Sequence, residues 1–536
     1  MYRQILDPVA HSLAWSSLAA ALPLAALFVM LGVLRIRAWL AALVSLAVAV
    51  AVAVAVYRMP IGQAALAGSE GAAFGFFPIL WIVINAIWVY QMTARTGYFD
   101  VLRRSFATVS DDHRVQSIII AFSFGALLEA LAGFGTPVAV TSVMLLALGF
   151  KPLKAAVLAL TANTAPVAFG AMATPIITLA KVSGLSTDTL GAMVGRQTPL
   201  MSAFVPLALV AIVDGRRGLR ETWGAALTGG VVFGLGQYAT SNFLSVPLAD
   251  VIASLLSAGA VVLFVRLRPP RPASEAEEDG SLDTHDPEEP DSRGQLVRAY
   301  APYAIIIAVF VICQITAAKK LLDKATFTAH WPGLHLLTFK GTPSALPTFT
   351  FNLLTTPGSQ MLVAGVLTMV ALRLSVVRAI RAYGATLYQL RWAIVTVMAV
   401  LALAFVMNAS GQTITLGTWM AGAGGAFALL SPILGWLGVA VTGSDTSSNS
   451  LFGALQVTAA AKAGLSPVLM AAGNSSGGVL GKMISPQNLA IGAAAVGVHG
   501  REGDIFRRVV IWSLVFLAFI CALSALQASA LSWMVP

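Results

Sequence analysis

Glu129 and Asp445 are the residues whose surroundings ask most of them. Glu129 sits in FGALLEALAGFG and is the only charged residue between Gln116 and Phe150, and Asp445 is as isolated in GVAVTGSDTSSNSLFG. Ionisable groups in oily surroundings are rare and costly, so each is a candidate functional group. A carboxyl removed from water is able to bind and release a proton near neutral pH, the chemistry of a proton-coupling site. A structural hydrogen bond to opened backbone is the other reading of each.

Two polar motifs recur at matching places. NTAPVAFGAMATP, Asn163 to Pro175, and NSSGGVLGKMISP, Asn474 to Pro486, are offset by 311 positions throughout, pairing Thr164 with Ser475, Gly170 with Gly481 and Met172 with Met483. Polar, helix-breaking segments at corresponding positions of two halves are the sequence pointer to a transporter's binding site. Each is preceded by a second such segment, LLEALAGFGTPVAV at Leu127 to Val140 and GVAVTGSDTSSNSLFG at Gly438 to Gly453. These read as re-entrant hairpins or broken helices whose helix N-termini seat a carboxylate. Gly135, Thr136, Asn163, Thr164, Ser444, Thr446, Ser447, Asn474 and Ser475 are the expected substrate-binding residues. Close helix packing through small residues is the plainer reading of any one of them.

Arg196 in GRQTP and Lys482 in the second Asn motif are the candidate cations. Arg196 is suited to holding a carboxylate in a bidentate fork, to pairing with Glu129, or to marking the end of a span. Gln412 is a further site candidate, Asn85 reads as an interhelical hydrogen bond, and Lys181 as a side chain reaching for the interface.

The elements that must position these groups are membrane helices. The chain has 536 residues, 58% hydrophobic and 10% charged, where a soluble domain carries about 25% charged residues. Leu13 to Leu34 and Ala38 to Val56 are apolar throughout, and crossing hydrocarbon takes roughly 20 residues. The first run reads as a retained span, not a signal peptide. Ser274 to Asp291 holds nine of the 23 acidic residues and no basic one, so the net charge of +10 conceals a larger basic excess in the remainder. That excess clusters between apolar runs. Placing the clusters inside gives a path with both termini outside and an acidic, disordered cytoplasmic linker. Membrane topology thus accounts for the basic pI without nucleic acid.

The expected fold is an all-α polytopic membrane protein with about 12 to 14 transmembrane segments, two inverted repeats and paired re-entrant hairpins or broken helices. Its expected parts are N-terminal spans 1–73, a first repeat 74–265 with polar segments 127–140 and 163–176, and a linker 266–298. Connecting spans and a mixed loop then fill 299–387, before a second repeat 388–536 with polar segments 438–453 and 474–487. An enzyme is not expected: HExxH is absent and the six His residues lie in loops or near the ends of runs. Cys313 and Cys521 lie in apolar runs and read as packing residues. No cofactor or resident metal is called for.

LEALAGFGTPVAVT, NTAPVAFGAM, GRQTP, LGWLGVAVTGSDTSSNSLF and NSSGGVLGKMISPQNLAI resemble the L-lactate permease family of bacteria, which also contains glycolate permeases. The resemblance implies uptake of L-lactate, D-lactate or glycolate with protons across the bacterial cytoplasmic membrane. It also implies kinship with a wider ion transporter superfamily in which homodimers and elevator motion occur. A sodium-coupled carboxylate transporter of the same architecture is the alternative.

Overall fold

The computed structural model describes residues 1–107, 110, 112–133, 135–268, 291–344, 346–498 and 500–536. Among these, 10 helical stretches are long and apolar enough to cross a membrane, or up to 11 when the bent pair Pro152–Ala162 and Val167–Ser183 counts as one span. The chain is an all-α polytopic membrane protein. The count is below the expected about 12 to 14 because span length is what sets it. Thr136–Ala147 and Pro357–Ala371 are apolar but short, and the single stretch Thr187–Phe243 contains a break at Asp214 and Gly215.

Ala38–Ala55 and Ile61–Phe74 pack with Val376–Ser410, and Leu13–Phe28 lies against Ala38–Ala55, around Leu27, Tyr57, Met59, Leu403 and Val406. Gly71 permits the closest approach, since a side-chain carbon there would run into the backbone of Leu401 and Ala402. At one end of this bundle Tyr2–Arg3 pairs in parallel with Leu336–Leu337, and the Tyr2 hydroxyl donates to the carbonyls of Tyr57 at 3.0 Å and Ser410 at 2.9 Å. The mixed loop therefore lies at the same end as the N-terminus. It is folded as a short helix, Thr316–Asp323, and an antiparallel pair, Thr326–His330 with Thr348–Asn352.

Two arginines of the basic clusters are answered by acids. Arg114 donates to Asp112 at 2.7 Å, to Glu221 at 2.6 Å and to Asp214 at 3.2 Å, while Arg104 holds Asp291 at 2.7 Å. Most of the expected acidic linker, 269–290, lies outside the described residues, as does Phe134. Helix runs to Leu267 and resumes at Arg293 under a Ser292–Gln295 capping box, so the connection is shorter than the 266–298 expected.

The larger core gathers the polar hairpins with Val205–Phe243, Ala249–Leu267 and Glu502–Gln527. Within it Phe427–Thr442 lies against Pro467–Gly481 with backbones nearly touching: a side-chain carbon on Gly435, Gly477 or Gly481 would strike the carbonyl of Asn474, Pro432 or Trp436. Small residues are what allow membrane helices such an approach. Gly477→Ala should therefore lower stability by about 1 to 3 kcal/mol through overpacking. Gly422→Ala, where nothing lies within 4 Å, should change it by less than about 0.5 kcal/mol. Thermal unfolding of the purified protein in detergent compares the two.

Candidate functional site

Every polar segment singled out in the sequence proves to be a place where a helix stops. The first hairpin is Gly125–Leu131 and Thr136–Ala147, joined through Gly133 (φ 49°) and Gly135 (φ 82°). Glycine has no Cβ to oppose that left-handed conformation. The second is Phe427–Thr442 and Asp445–Ala463, joined through Gly443 (φ 75°) and Ser444. Ser444 Oγ accepts from the Ser447 amide at 3.3 Å, satisfying one free donor of the helix start.

The two Asn motifs break at different points. In the first, Pro152–Ala162 stops just before Asn163, a 3-10 turn covers Val167–Phe169, and the chain bends by 65°. Ala171, Met172 and Ala173 follow with φ of 44°, 57° and 59°. Left-handed backbone costs a residue with a side chain roughly 1 to 2 kcal/mol, and such strain gathers at functional sites. The second motif stays helical through Asn474 to Gly481 and opens only at Lys482–Ile484, before Pro486–Ala495.

These breaks surround a cavity of about 260 Å³ lined by Glu129, Ser444, Asp445, Thr446, Ser447 and Lys482, with Trp39, Trp392 and Thr396 closing it from the N-terminal bundle and Val376–Ser410. Lys482 Nζ donates to Glu129 Oε1 at 2.6 Å, the two side chains being 7% and 4% exposed. Asn163 Nδ2 donates to the other oxygen, Oε2, at 3.0 Å. The carboxylate of one half is thereby paired with the ammonium of the other. Gly170 makes this possible, because a side-chain carbon there would lie 2.8 Å from Glu129 Oε1.

Asp445 is bonded on one side only. Its Oδ2 accepts from Ser475 Oγ at 2.6 Å and from Asn449 Nδ2 at 3.3 Å, and its Oδ1 has no hydrogen-bond partner among the described residues. Asn449 reaches the Pro175 carbonyl at 3.2 Å, a second link between the halves. Asn474 lies behind this layer, donating to Asn449 Oδ1 at 2.9 Å and accepting from Gln456 Nε2 at 3.0 Å.

Six of the expected residues thus line the cavity, and Asn163 and Ser475 hold its carboxylates. The others do not face it. Thr164 donates to the Thr161 carbonyl at 2.7 Å, and Gly135, followed by Thr136, packs against Ile491. Arg196 is displaced from the expected site, donating to Asn242 Oδ1 at 3.0 Å and to the Met534 carbonyl at 2.8 Å. Its neighbours in GRQTP reach inward instead: Gln197 donates to Gln527 at 2.8 Å and Thr198 to Gln237 at 3.0 Å. Gln412 also departs from expectation, bonded to the Ala49 carbonyl at 3.2 Å and to Ser410 at 2.9 Å in the N-terminal bundle. Asn85 bonds within its own helix, to the Trp81 carbonyl at 2.8 Å. Lys181 caps the outer β pair, donating to the Thr348 carbonyl at 2.8 Å.

Two buried acids were passed over. Asp250, fully buried, accepts from Gln237 Nε2 at 2.7 Å, and the same amide nitrogen lies 3.4 Å from the Ala165 carbonyl of the first Asn motif. Glu70 is 1% exposed, with Oε1 unpartnered among the described residues. The isolation that marks Glu129 marks both: Glu70 is the only charge between Arg58 and Arg95, and Asp250 the only one between Glu221 and Arg266. The cavity residues Gln487 and Asn488 and the stacked Trp39–Trp392 pair, 4.8 Å between centroids, carried no such signal.

A multi-pass helical protein whose broken helices surround a small cavity with buried charges belongs to the class of membrane permeases. The L-lactate permease family model matches residues 16–531, and the chain belongs to that family. It is 41% identical to an L-lactate permease of Escherichia coli (strain K12) and 39% identical to one of Bacillus subtilis (strain 168), over 100% of both chains in each case. It is 40% identical to the glycolate permease GlcA of Escherichia coli (strain K12) over 96% of each. Among solved structures, the Alcanivorax borkumensis YdaH transporter aligns over 86% of both chains at 14% identity, with a TM-score of 0.45. The protein is therefore a multi-pass permease of the bacterial cytoplasmic membrane and not an enzyme.

Removing one partner of a buried ion pair costs about 3 to 5 kcal/mol, because the other charge is left alone. Lys482→Met should destabilise the protein by that order. Adding Glu129→Gln should recover most of the loss, read as thermal unfolding in a double-mutant cycle.

Proposed function

We propose that the chain takes up L-lactate, D-lactate and glycolate by proton symport, with Asp445 carrying the coupling proton. The cargo follows from the relatives, which are named L-lactate and glycolate permeases. A cavity of about 260 Å³ suits it, since drug-sized ligands occupy about 300 to 1,000 Å³.

The observation that carries the coupling is the unpartnered Asp445 Oδ1 at the start of Asp445–Ala463, beside Ser444, Thr446, Ser447 and Lys482. That helix start offers amide N–H groups and a positive dipole end to a carboxylate, yet an ionised Asp445 would repel the same carboxylate. A proton on Asp445 removes the repulsion. Substrate and proton then enter the cavity together, and Lys482 exchanges part of its contact with Glu129 for the incoming acid. Glu129 serves as the standing counter-ion that keeps Lys482 in the dry interior. Discrimination among the three acids rests on one methyl group or its placement, worth about 1 to 3 kcal/mol in an apolar pocket.

Labelled L-lactate uptake into proteoliposomes tests the reading. An inward proton gradient should drive accumulation, glycolate should compete, and succinate should not. Accumulation driven by sodium alone, or by neither ion, would sink the symport. In Asp445→Asn, concentrative uptake should disappear while lactate exchange between the two faces persists; gradient-driven accumulation in that variant would remove Asp445 from the coupling role.

A further inference from the structure

We infer that the groove between Val205–Phe243 and Ala249–Leu267, at the arginine-rich end of the molecule, binds an anionic phospholipid. The groove encloses about 1280 Å³ and is rimmed by Arg216, Arg217, Arg220 and Arg268. Its one acid is already engaged: Glu221 accepts from Arg114 at 2.6 Å and from Arg217 at 3.2 Å. The side chains of Arg216, Arg220 and Arg268, all exposed, make no hydrogen bond or ion pair among the described residues. Three guanidiniums therefore line one opening with no carboxylate answering them among the described residues. Planar guanidinium matches phosphate oxygens two at a time.

The walls below the arginines are apolar, which distinguishes the groove from a site for a soluble anion. Phe264 points the tip of its ring at Gly224, where a side-chain carbon would come within 2.8 Å of Cζ. Thr228 turns its hydroxyl back to the Gly224 carbonyl at 2.7 Å, and the wall continues through Val231 and Val232. From Arg220 to Val231 is roughly 16 Å of helix, length enough to lay much of an acyl chain. Trp223, 58% exposed, stands at the level of the arginines, where tryptophan favours the headgroup zone. Charge at the mouth with an oily wall leading away along the helix axis is the chemistry of one phospholipid. The charge rule puts this end in the cytoplasmic leaflet, whose surface is anionic.

Full-length protein in nanodiscs of phosphatidylcholine containing a minor fraction of phosphatidylglycerol, followed by mass spectrometry of the lipid that stays bound in detergent, tests the site. Wild type should retain phosphatidylglycerol in preference to phosphatidylcholine. Arg216→Gln, Arg220→Gln or Arg268→Gln should each weaken that retention by roughly fivefold, and Val231→Gln should shorten lipid residence without altering its salt dependence. Arg507→Gln, an exposed arginine paired with Asp504, is the control and should change nothing. Equal retention by wild type and the arginine variants would overturn the proposal, as would indifference to Val231→Gln. Displacement of the lipid by millimolar glycerol phosphate would make this a soluble-anion site, and retention only after deletion of 274–290 would give the groove to the chain's own acidic segment; either outcome also overturns it.

Discussion

The pair Lys482–Glu129 is the interaction on which the arrangement of the site depends. Its 2.6 Å contact joins an ammonium from a 3-10 turn at Lys482–Ile484 to a carboxylate on Gly125–Leu131, far apart in sequence and both removed from solvent. Neither charge is tolerable alone at that depth. The pair therefore acts as a positional constraint: any arrangement of the first hairpin and the second Asn motif that separates them leaves two uncompensated charges in a dry interior. Asn449 on the Pro175 carbonyl fixes the same relation a second time with a neutral bond. Ion pair and amide together dictate where the ends of the broken helices meet, and so where a cavity exists at all.

Glycine is what makes the constraint geometrically possible. Gly170 leaves room for Glu129, and Gly478 occupies the place where a side chain would collide with Asp445. Glycine, asparagine and hydroxyl residues thus do different work within one motif. The glycines clear space, Asn163 and Ser475 orient a carboxylate each, and Asn474 is consumed in a bond to Asn449 that holds the layer behind. The first Asn motif reaches its geometry through three left-handed residues, while the second reaches it by letting a regular helix run about two turns further. Identical spacing has produced two unlike backbones.

This explains which parts of the site were legible in the sequence. Breaks in the helices were, because glycine, proline and clustered hydroxyls inside apolar runs act locally and leave a local mark. Glu129, Asp445 and Lys482 were, because burying a charge is expensive wherever it happens. The basic clusters between apolar runs were legible as well, and one of their arginines, Arg114, is answered by Glu221. Pairing was not: nothing in GRQTP distinguishes an arginine that faces a ligand from one that ties Asn242 to the Met534 carbonyl, because both are satisfied by oxygen. Trp39 and Trp392 were invisible for a further reason. Each is an unremarkable aromatic in its own helix and becomes a cavity wall only when Ala38–Ala55 is laid beside Val376–Ser410.

The asymmetry between the halves bears on what such a cavity is able to hold. Where the second motif has Lys482 the first has Ala171, and the carboxylate answering that lysine comes from the first hairpin. A pore built from two equivalent linings would present like groups across its axis. Here one ammonium, one fully bonded carboxylate and one half-bonded carboxylate share a cavity of about 260 Å³. If both carboxylates are ionised, the three groups sum to one negative charge, which opposes an anion; one proton brings them to zero, which admits it. Under the proposed symport, charge balance alone would tie the loading of a small acid to that of a proton, with no requirement that the two touch.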